Sequence, residues 1–491
     1  MLFNSYIFVF LFLSLAVAGF WVIRKYLSKR CAYIFLILMS CWFYAYADIR
    51  YLPTLFFNIG INYFIYKFLQ KQDTTTKARK NILIVGLLFN GGSLCYYKYF
   101  NFFRDNINSI LGISLKRIIL PLGISYIIFQ QIAFIVDSYR KETADYSLTE
   151  YILFVLYFPK IISGPIMLHE EFFPQLRDEE RQKVNWDNVA EGLYIFAIGM
   201  GKKVLLADTF GKAVNYAYNF IEEGGVRELY ALDLLIVIFS YTVQLYFDFS
   251  GYCDMAAGIS KMFNIDLPIN FNSPYKALSI SDFWKRWHIT LTRFLTKYIY
   301  IPLGGNRKGI LRTYLNILIV FLISGLWHGT GWNYLIWGLM HGIFMVLERM
   351  FPAFFKKMHP ALSWLITFAF VNVAWIFFRA DTVGQGINIL IQLLRMNFTS
   401  LNDTIVNVFN LPEFVGITQK ILSVDILRHY KYAFCFAFLG TAFVGILGCS
   451  NSNERMNGFK PGIVKVLFTA IIMVWSIFSF AEVSTFLYWE F

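Results

Sequence analysis

Continuous apolar runs recur along most of the chain and set its predicted fold class. They lie near 2–23, 31–47, 52–69, 81–100, 118–137, 151–167, 189–206, 231–247, 313–347, 361–378, 430–448 and 463–481. Most are long enough to cross the ~30 Å hydrocarbon core of a bilayer as a helix. Because apolar and polar positions do not alternate, the runs predict helices and not the strands of a membrane barrel. We expect an all-α, polytopic integral membrane protein with about 11–13 membrane segments and short re-entrant or interfacial helices.

The stretch Thr313–Leu347 is the most apolar, since its 35 residues include no Asp, Glu, Lys or Arg. A Gly-Thr-Gly turn at 329–331 divides it into two helical arms, Thr313–His328 and Tyr334–Leu347. At ~1.5 Å per residue the arms are roughly 24 Å and 21 Å long, short of the ~30 Å core. Non-helical backbone at that depth must be buried in protein or line a wet cavity. The pattern predicts that His328 lies at the floor of a water-accessible pit reached from outside.

Basic residues between the apolar runs set the expected orientation. Residues 24–30 carry four basic side chains and no acid, and residues 67–80 carry five against one acid. The segment Lys276–Arg312 carries eight basic residues and one acid. Because cytoplasmic loops are enriched in Lys and Arg, all three segments should face the cytoplasm and the N-terminus should lie outside. Residues 98–117 are also basic and disturb a simple alternation.

Residues 284–298 have the period of an amphipathic helix. One face holds Trp284, Trp287, His288, Leu291, Phe294, Leu295 and Tyr298, and another holds Arg286, Arg293 and Lys297. The pattern predicts one basic helix that lies in the membrane interface. Trp284, Trp287 and Arg286 are expected to line or brace a cytoplasmic opening on the path of a donor.

The composition narrows the class of protein further. The chain has 491 residues, of which 57% are hydrophobic and 15% charged, and a mean hydropathy of +0.53. A single membrane-embedded domain over residues 1–491 is therefore expected. The net charge of +13 is explained by basic cytoplasmic loops without nucleic acid. Six scattered cysteines show neither metal-ligand spacing nor a disulfide framework. The run 2–23 has no preceding basic residue and no cleavage site, and is interpreted as a retained span.

His328 and His288 are the main candidates for chemistry, and each has an alternative interpretation. Ionisable groups inside a membrane are functional candidates by default, and a neutral imidazole accepts a proton near neutral pH. The alternative for His328 is a packed histidine bonded to a neighbouring helix, and the residue pattern alone does not decide. For His288, spacing alone favours an anchor of the interfacial helix. His341 is expected to be a hydrogen-bonding core residue.

Two polar motifs supply further candidates. Asp248 and Asp254, in YFDFSGYCDM, end an apolar run; pairing with nearby backbone or Arg explains them more simply than catalysis. Six residues apart, they do not share a helix face well. Asn306 lies in the turn GGNRKG, whose backbone N–H groups are one means of holding phosphate. The turn lacks the spacing of a phosphate-binding loop, and a basic cytoplasmic turn explains it better.

Residues 246–342 also resemble a known family. The motifs are YFDFSGYCDM, FWKRWH, IPLGGNRKG and LISGLWHGTGWNYLIWGLMHG, which form a signature core. Together they resemble the bacterial membrane-bound O-acyltransferase (MBOAT) family, in the branch that O-acetylates envelope glycans such as peptidoglycan and alginate. FFPQL at 172–176 and the overall length also fit. Thr296-Lys297 departs from the family, where an Arg-Asp pair commonly precedes the tyrosine.

The resemblance implies roles for site residues. His328, in WHG, matches the catalytic intramembrane histidine of the family, and His288 matches its second signature position. His328 would act as general base on an attacking hydroxyl or carry a transient acyl group. The donor would be a cytoplasmic acetyl thioester, acetyl-CoA, with no bound cofactor or metal. Asp248, Asn306 and Trp327 complete the expected substrate path.

The implied protein is a multi-pass O-acetyltransferase of the cytoplasmic (inner) membrane. It would pass acetyl groups to a periplasmic or extracellular partner of the SGNH serine-hydrolase type, which would place them on an envelope polysaccharide. The alternative is a multi-span transporter of acyl groups or small solutes. Transporters commonly have paired broken segments in two halves, whereas the sequence shows one such hairpin.

Overall fold

The structure is a computed structural model that describes residues 1–71, 75–112, 118, 120–411, 430–482, 486 and 487. These residues form helices, and no β-strand occurs among them, which confirms the all-α class. Five described helices are long and apolar enough to cross a membrane, namely Ile7–Tyr26, Ala231–Met262, Ile310–His328, Pro360–Arg379 and Lys431–Gly448.

The bounds of the helices follow the predicted runs closely. The α-helices of the first half are α1 Leu13–Tyr26, α2 Lys29–Ala45, α3 Tyr51–Gln70, α4 Thr76–Leu94, α5 Phe100–Leu111, α6 Ile124–Tyr139, α7 Leu148–Leu156, α8 His169–Arg177, α9 Trp186–Gly201, α10 Asp208–Glu222 and α11 Ala231–Met262. Those that follow are α12 Ile280–Arg286, α13 Ile289–Leu295, α14 Ile310–His328, α15 Trp332–Met350, α16 Pro352–Lys357, α17 Pro360–Arg379, α18 Val383–Leu394, α19 Asp403–Asn407, α20 Lys431–Gly448, α21 Ser452–Asn457 and α22 Ile463–Phe478. Segments of π-helix occupy Ile7–Phe12, Cys95–Tyr99, Lys202–Ala207 and Thr296–Tyr300, and 3₁₀ turns occupy Glu180–Gln182, Gly225–Glu228, Pro274–Lys276 and Ser479–Glu482.

Two predicted spans have the wrong length. The run 151–167 is helical only to Leu156, and residues 157–168 continue as buried irregular backbone. The run 231–247 extends to Met262 as a helix of 32 residues. The predicted run ended before Asp248 because this residue is acidic. In the structure the Asp248 carboxylate lies 2.6 Å from the Lys203 ammonium, so its charge is neutralised inside the fold and the helix continues.

α9 and α11 pack at backbone contact through paired glycines. A Cβ on Gly258 would lie 2.5 Å from the carbonyl oxygen of Gly192, and a Cβ on Gly192 would lie 2.5 Å from the carbonyl oxygen of Gly258. Gly199 and Gly251 form a second contact of this kind further along the two helices. A Cβ on Gly199 would lie 2.6 Å from the carbonyl oxygen of Gly251, and a Cβ on Gly251 would lie 2.8 Å from that of Gly199. Small residues let membrane helices approach closely. α11 is the central helix of the fold, and most of its residues are buried.

Large apolar side chains cover much of the outer surface. Among the most exposed are Leu88 at 70%, Val464 at 76% and Phe478 at 79% of their accessible area. A water-soluble monomer rarely exposes so much contiguous apolar surface. These faces are therefore the lipid-contacting surface of a multi-pass membrane protein.

The basic 24–30 loop lies at the same end of the molecule as residues 181–182 and 264–266. Arg24 donates to the Gln182 side chain, and Arg181 donates to the Asn264 carbonyl at 3.0 Å and the Asp266 carboxylate at 2.7 Å. The N-terminal amine of Met1 bonds instead to the Phe43 carbonyl, beyond the far end of α1. The N-terminus and the 24–30 loop therefore lie at opposite ends, and an external N-terminus stays a prediction.

Candidate active site

His328 lines the wall of a cavity of about 770 Å³, which we call the His328 cavity. The cavity is lined by residues within the ranges 47–51, 97–101, 120–123, 329–334 and 378–381, and by Tyr241 and Leu487. Ala47 and Phe43 lie near the same end of α2, so the cavity belongs to the end of the molecule that holds the N-terminus. The predicted pit that reaches His328 is present.

The arms of the hairpin are longer than predicted. α14 and α15 have 19 residues each, where the sequence suggested 16 and 14. At ~1.5 Å per residue each arm spans roughly 28 Å, close to the thickness of the hydrocarbon core. The prediction stopped at the charged residues, but Glu348 continues the helix because its carboxylate accepts the N–H groups of Ile280 and Ser281. The argument from short arms is wrong; the depth of the turn stays a prediction that now rests on the cavity.

The turn after His328 is fixed by close backbone packing. His328 is the last residue of α14, and α15 begins at Trp332. A Cβ on Gly329 would lie 2.1 Å from the ring of Tyr334, so a larger residue would displace the turn. A Cβ on Gly338 would lie 2.4 Å from the Phe321 carbonyl oxygen, so the two arms pack with their backbones in contact at this glycine. The direction of the His328 side chain is therefore set by the hairpin.

Aromatic rings enclose the imidazole of His328. The centroids of Trp327 and Trp337 lie 4.9 Å away, and that of Phe378 lies 5.3 Å away, all at steep angles. Only 1% of His328 is exposed. Trp327 itself is buried and also lies 5.7 Å from the ring of His288. It braces the site from behind and is not among the described residues that line the cavity.

His288 lies at the break between α12 and α13 with left-handed backbone angles, φ 45° and ψ 51°. Its Nδ1 lies 3.2 Å from the Oδ1 atom of Asn270, which also accepts from the N–H and hydroxyl of Thr290. Because Oδ1 can only accept, Nδ1 of the neutral ring carries the proton and Nε2 carries the lone pair. Left-handed geometry is costly for a residue other than glycine and is often kept at functional sites.

A second cavity, of about 460 Å³, approaches His288 from the other end; we call it the Asn270 cavity. Besides Asn270 it is lined by Lys202, Cys253, Asp254, Lys261, Asp266, Asn451, Asn453 and Asn457, among others. Burial raises the pKa of Asp266, but hydrogen bonds from Lys261 and Arg181 outweigh it and hold this pKa below its ordinary value. Asp266 pairs with Arg181, so the cavity lies at the end of the molecule that holds the 24–30 loop.

The two histidines lie where the two cavities approach each other. Their ring centroids are 6.3 Å apart. α11 passes both cavities: Tyr241 lines the His328 cavity and Tyr246 the Asn270 cavity, five residues or roughly 7.5 Å further on. Phe249 of the same helix lies 4.8 Å from the ring of His288. A thin wall of aromatic and imidazole rings therefore separates the two cavities.

The predicted interfacial helix is wrong in its shape. α12, α13 and the π segment Thr296–Tyr300 replace the single helix, and Trp284 and Trp287 are 4% and 0% exposed. Trp284 donates to His341 Nδ1 at 3.2 Å, which confirms His341 as a hydrogen-bonding core residue. Arg286 pairs with Asp282 at 2.9 Å. Of the described residues that line the two cavities, none is Trp284, Trp287 or Arg286, so their place on a donor path stays a prediction.

Asp248 and Asn306 are not among the described residues that line the two cavities. Asp248 pairs with Lys203 and accepts the Leu487 N–H at 2.8 Å, so it lies one residue behind the wall of the His328 cavity. Asp254 pairs with Lys202 at 2.6 Å, so both acids of this motif have lysine partners. Asn306 is exposed in a turn whose preceding glycines, Gly304 and Gly305, have positive φ. Their roles on a substrate path remain predictions.

The departure at Lys297 is compensated from another helix. Lys297 lies 3.3 Å from the carboxylate of Asp137, which has no exposed surface and also accepts from the Tyr298 hydroxyl at 2.6 Å. His169, at the start of α8, lies 3.3 Å from the same carboxylate. The acid that the segment lacks is thus supplied by α6. Lys297 therefore connects its segment to α6 and is not among the described residues that line either cavity.

Sequence reasoning missed Lys98. This lysine was counted among the basic residues of a loop, yet it is 6% exposed and lines the His328 cavity. Its ammonium donates to the main-chain carbonyl of Trp327. The available signal was its position in CYYKYF within the apolar run 81–100, where a lysine at membrane depth is a functional candidate.

The sequence of this chain is similar to those of known proteins. Residues 131–381, which include His169, His288 and His328, match the model of MBOAT, the membrane-bound O-acyltransferase family. The chain is 42% identical over 435 residues to a peptidoglycan O-acetyltransferase of Helicobacter pylori, covering 82% of this chain and 81% of the relative. It is 35% identical to a probable alginate O-acetylase of Pseudomonas aeruginosa, with 85% and 82% covered. A teichoic acid D-alanyltransferase of Bacillus subtilis is 30% identical over 51% of this chain and 66% of its own length.

Proposed function

The chain belongs to the membrane-bound O-acyltransferase family and is an O-acyltransferase, and from that premise we propose that it carries acetyl groups from cytoplasmic acetyl-CoA to a hydroxyl acceptor outside. One observation carries the proposal. The cavities that open toward opposite ends of the molecule approach each other at His288 and His328, whose rings are 6.3 Å apart. An acetyl group is small enough to pass such a wall, whereas the donor carrier is not.

The Asn270 cavity is suited to the arm of a thioester donor. It is lined by the side-chain amides of Asn270, Asn451, Asn453 and Asn457, which match the amide groups of a pantetheine arm. Its charged lining residues are two lysines, each paired with a carboxylate, and three acids. A nucleotide with several phosphates is repelled by that balance and stays outside. Only the narrow arm with the acetyl group enters.

The His328 cavity is suited to the acceptor. In this arrangement the acceptor hydroxyl attacks the acetyl carbonyl carbon and His328 takes the hydroxyl proton. His288, held by Asn270 with its Nε2 lone pair inward, orients the donor at the wall. The thiolate of the donor leaves and recovers the proton from His328. Thioester and alcohol thus become ester and thiol.

The acceptor hydroxyl belongs to a partner protein in this proposal. The relatives are named for acetylation of peptidoglycan and alginate, both long polymers. A cavity of about 770 Å³ does not hold a polymer strand, although a single serine side chain on a loop reaches its floor. An extracytoplasmic acetyltransferase with a catalytic serine would then place the acetyl group on the envelope polysaccharide.

Transfer across reconstituted membranes tests the proposal. Proteoliposomes receive radiolabelled acetyl-CoA on the side of the Asn270 cavity, and a candidate partner is placed on the other side. We expect labelled ester on the partner and no labelled CoA crossing. Label that crosses as intact donor or free acetate, without ester on any acceptor, would favour the transporter alternative and contradict the acyltransferase mechanism.

His288→Ala is expected to lower the rate of acetyl transfer by about 10²-fold, the usual effect of misplacing a reactant. The ring lies at the donor side of the wall, and its removal takes away one of the partners of the Asn270 Oδ1 atom, which keeps its bonds from Thr290. His359→Ala is the matched control, because His359 is an exposed N-cap of α17. Initial rates with saturating donor measure the effect. A His288→Ala rate equal to that of the control would remove His288 from the mechanism.

A further inference from the structure

Lys98 lies in the π segment Cys95–Tyr99, whose side chains hold the end of α14. The Lys98 ammonium donates to the Trp327 carbonyl and, at 3.4 Å, to the Ser125 hydroxyl. The neighbouring Tyr99 hydroxyl donates to the Leu326 carbonyl at 2.7 Å. The last carbonyls of a helix have no partner within the helix. The ammonium is therefore fixed one peptide group away from His328, on the wall of the same cavity.

The charge of Lys98 has no carboxylate to balance it in the described part of the chain, where no Asp or Glu oxygen lies within 4.0 Å of Nζ. Lys203, which lies between two aspartates, and Lys202, which meets Asp254, differ from Lys98 in this respect. An uncompensated charge at membrane depth is costly and marks a functional site by default. A lysine has three N–H donors, and the contacts above use two of them.

We propose, on the basis of the function proposed above, that Lys98 is the oxyanion-binding residue of the His328 cavity. When the acceptor hydroxyl attacks, the electron pair of the carbonyl bond moves to the carbonyl oxygen, and the Lys98 ammonium binds that negative charge. The hydroxyl proton goes to His328. When the carbonyl re-forms, the carbon–sulfur bond breaks and the thiolate takes the proton from His328. Lys98 keeps all its protons throughout.

The geometry places the two catalytic functions side by side. A base and an oxyanion donor must both reach one carbonyl group, within about 3 Å of each. The peptide unit that joins Trp327 to His328 links the two side chains, and both line the cavity. A preorganised donor in a site with little water stabilises developing charge strongly, and its loss typically costs about 10²–10³ in kcat.

The chain offers a matched control in Lys160. It is also buried, 4% exposed, and donates to a main-chain carbonyl, that of Phe154, at 2.5 Å. It borders a space of only about 10 Å³ and is not among the described residues that line either large cavity. Lys98→Met and Lys160→Met thus remove the same charge from the same kind of bond. A difference between them reports what Lys98 does beyond packing and capping.

The test measures acetyl transfer in proteoliposomes with the full-length chain. Lys98→Met is expected to lower kcat by about 10²–10³-fold with the donor KM little changed, and Lys98→Arg, which keeps the charge, to recover part of the rate. Lys160→Met is expected to stay near wild type in rate. Membrane yield and thermal unfolding are compared for all three, so that a folding defect is seen directly.

A second readout separates charge stabilisation from a structural cap. A fluoroacetyl thioester carries an electron-withdrawing group that stabilises the oxyanion by itself. The ratio of wild-type to Lys98→Met rates should therefore be smaller for fluoroacetyl than for acetyl donor. A cap that only positions the 329–331 turn would give the same ratio for both donors and would overturn the assignment, as would a wild-type kcat in Lys98→Met. If wild type itself transferred no acetyl group, the proposed function would fall and this inference with it.

Discussion

His328→Gln is expected to abolish acetyl transfer while the protein still folds and enters the membrane. Glutamine keeps a polar side chain of similar reach but supplies no base, and general-base catalysis is typically worth about 10²–10⁴-fold. The ring is 1% exposed and lies on a cavity wall at the end of α14, so the change removes one ring and breaks no helix. The measurement is acetyl ester content of the envelope glycan, with membrane expression checked by immunoblot.

His341→Gln is the control for that substitution. It lies on the same hairpin, has no exposed surface and accepts from Trp284, yet it is not among the described residues that line either cavity. It should keep most of the activity. Near-normal acetylation in His328→Gln would refute the base assignment, and equal losses in both variants would show that the hairpin tolerates no change of a buried histidine.

Gly258→Val should prevent assembly of the helices. Even the Cβ atom would lie 2.5 Å from the Gly192 carbonyl oxygen and 2.7 Å from the Phe196 nitrogen, both of which are backbone atoms of α9. Backbone atoms cannot move away by changing rotamer as a side chain does. The clash with valine would therefore force α9 and α11 apart along their contact. The loss should exceed the ~1–3 kcal/mol usual for overpacking, because the central helix pair is involved.

The effect is measured as yield of monodisperse protein in detergent and as the unfolding temperature. Gly440→Val is the matched control: Gly440 lies in α20, and nothing comes within 4 Å of a Cβ at that position. The control should behave as wild type. A Gly258→Val protein of normal yield and unfolding temperature would show that the two helices are free to move apart, contrary to the structure.

Local patterns predicted the features that local physics decides. The apolar runs gave most helices, and the Gly-Thr-Gly turn gave the hairpin with His328 beside a cavity. Charge was less informative, since a charged residue ends an apolar run in the sequence whether or not the fold provides a partner. Asp248 and Glu348 both continue helices because distant groups bind their carboxylates.

The break at His288 had no local signal. The period of residues 284–298 suits one helix, and no Gly or Pro interrupts it. The left-handed backbone of His288 is held by Asn270, which binds His288 and Thr290 from outside the segment. Lys98 has a local signal, its position in an apolar run, but its carbonyl partner lies 229 residues away in the sequence, so no local pattern indicated its contact with the end of α14. Contacts of that range are a property of the fold and are not written in any window of residues.

The residues that line the His328 cavity come from distant parts of the chain, and this determines when the cavity can form during synthesis. A ribosome releases Ala47 and Lys98 long before His328 and Leu487, yet all four line the cavity. Membrane helices emerge in sequence, and domains form as their segments become available. The wall of the His328 cavity is therefore complete only after Leu487 has been made.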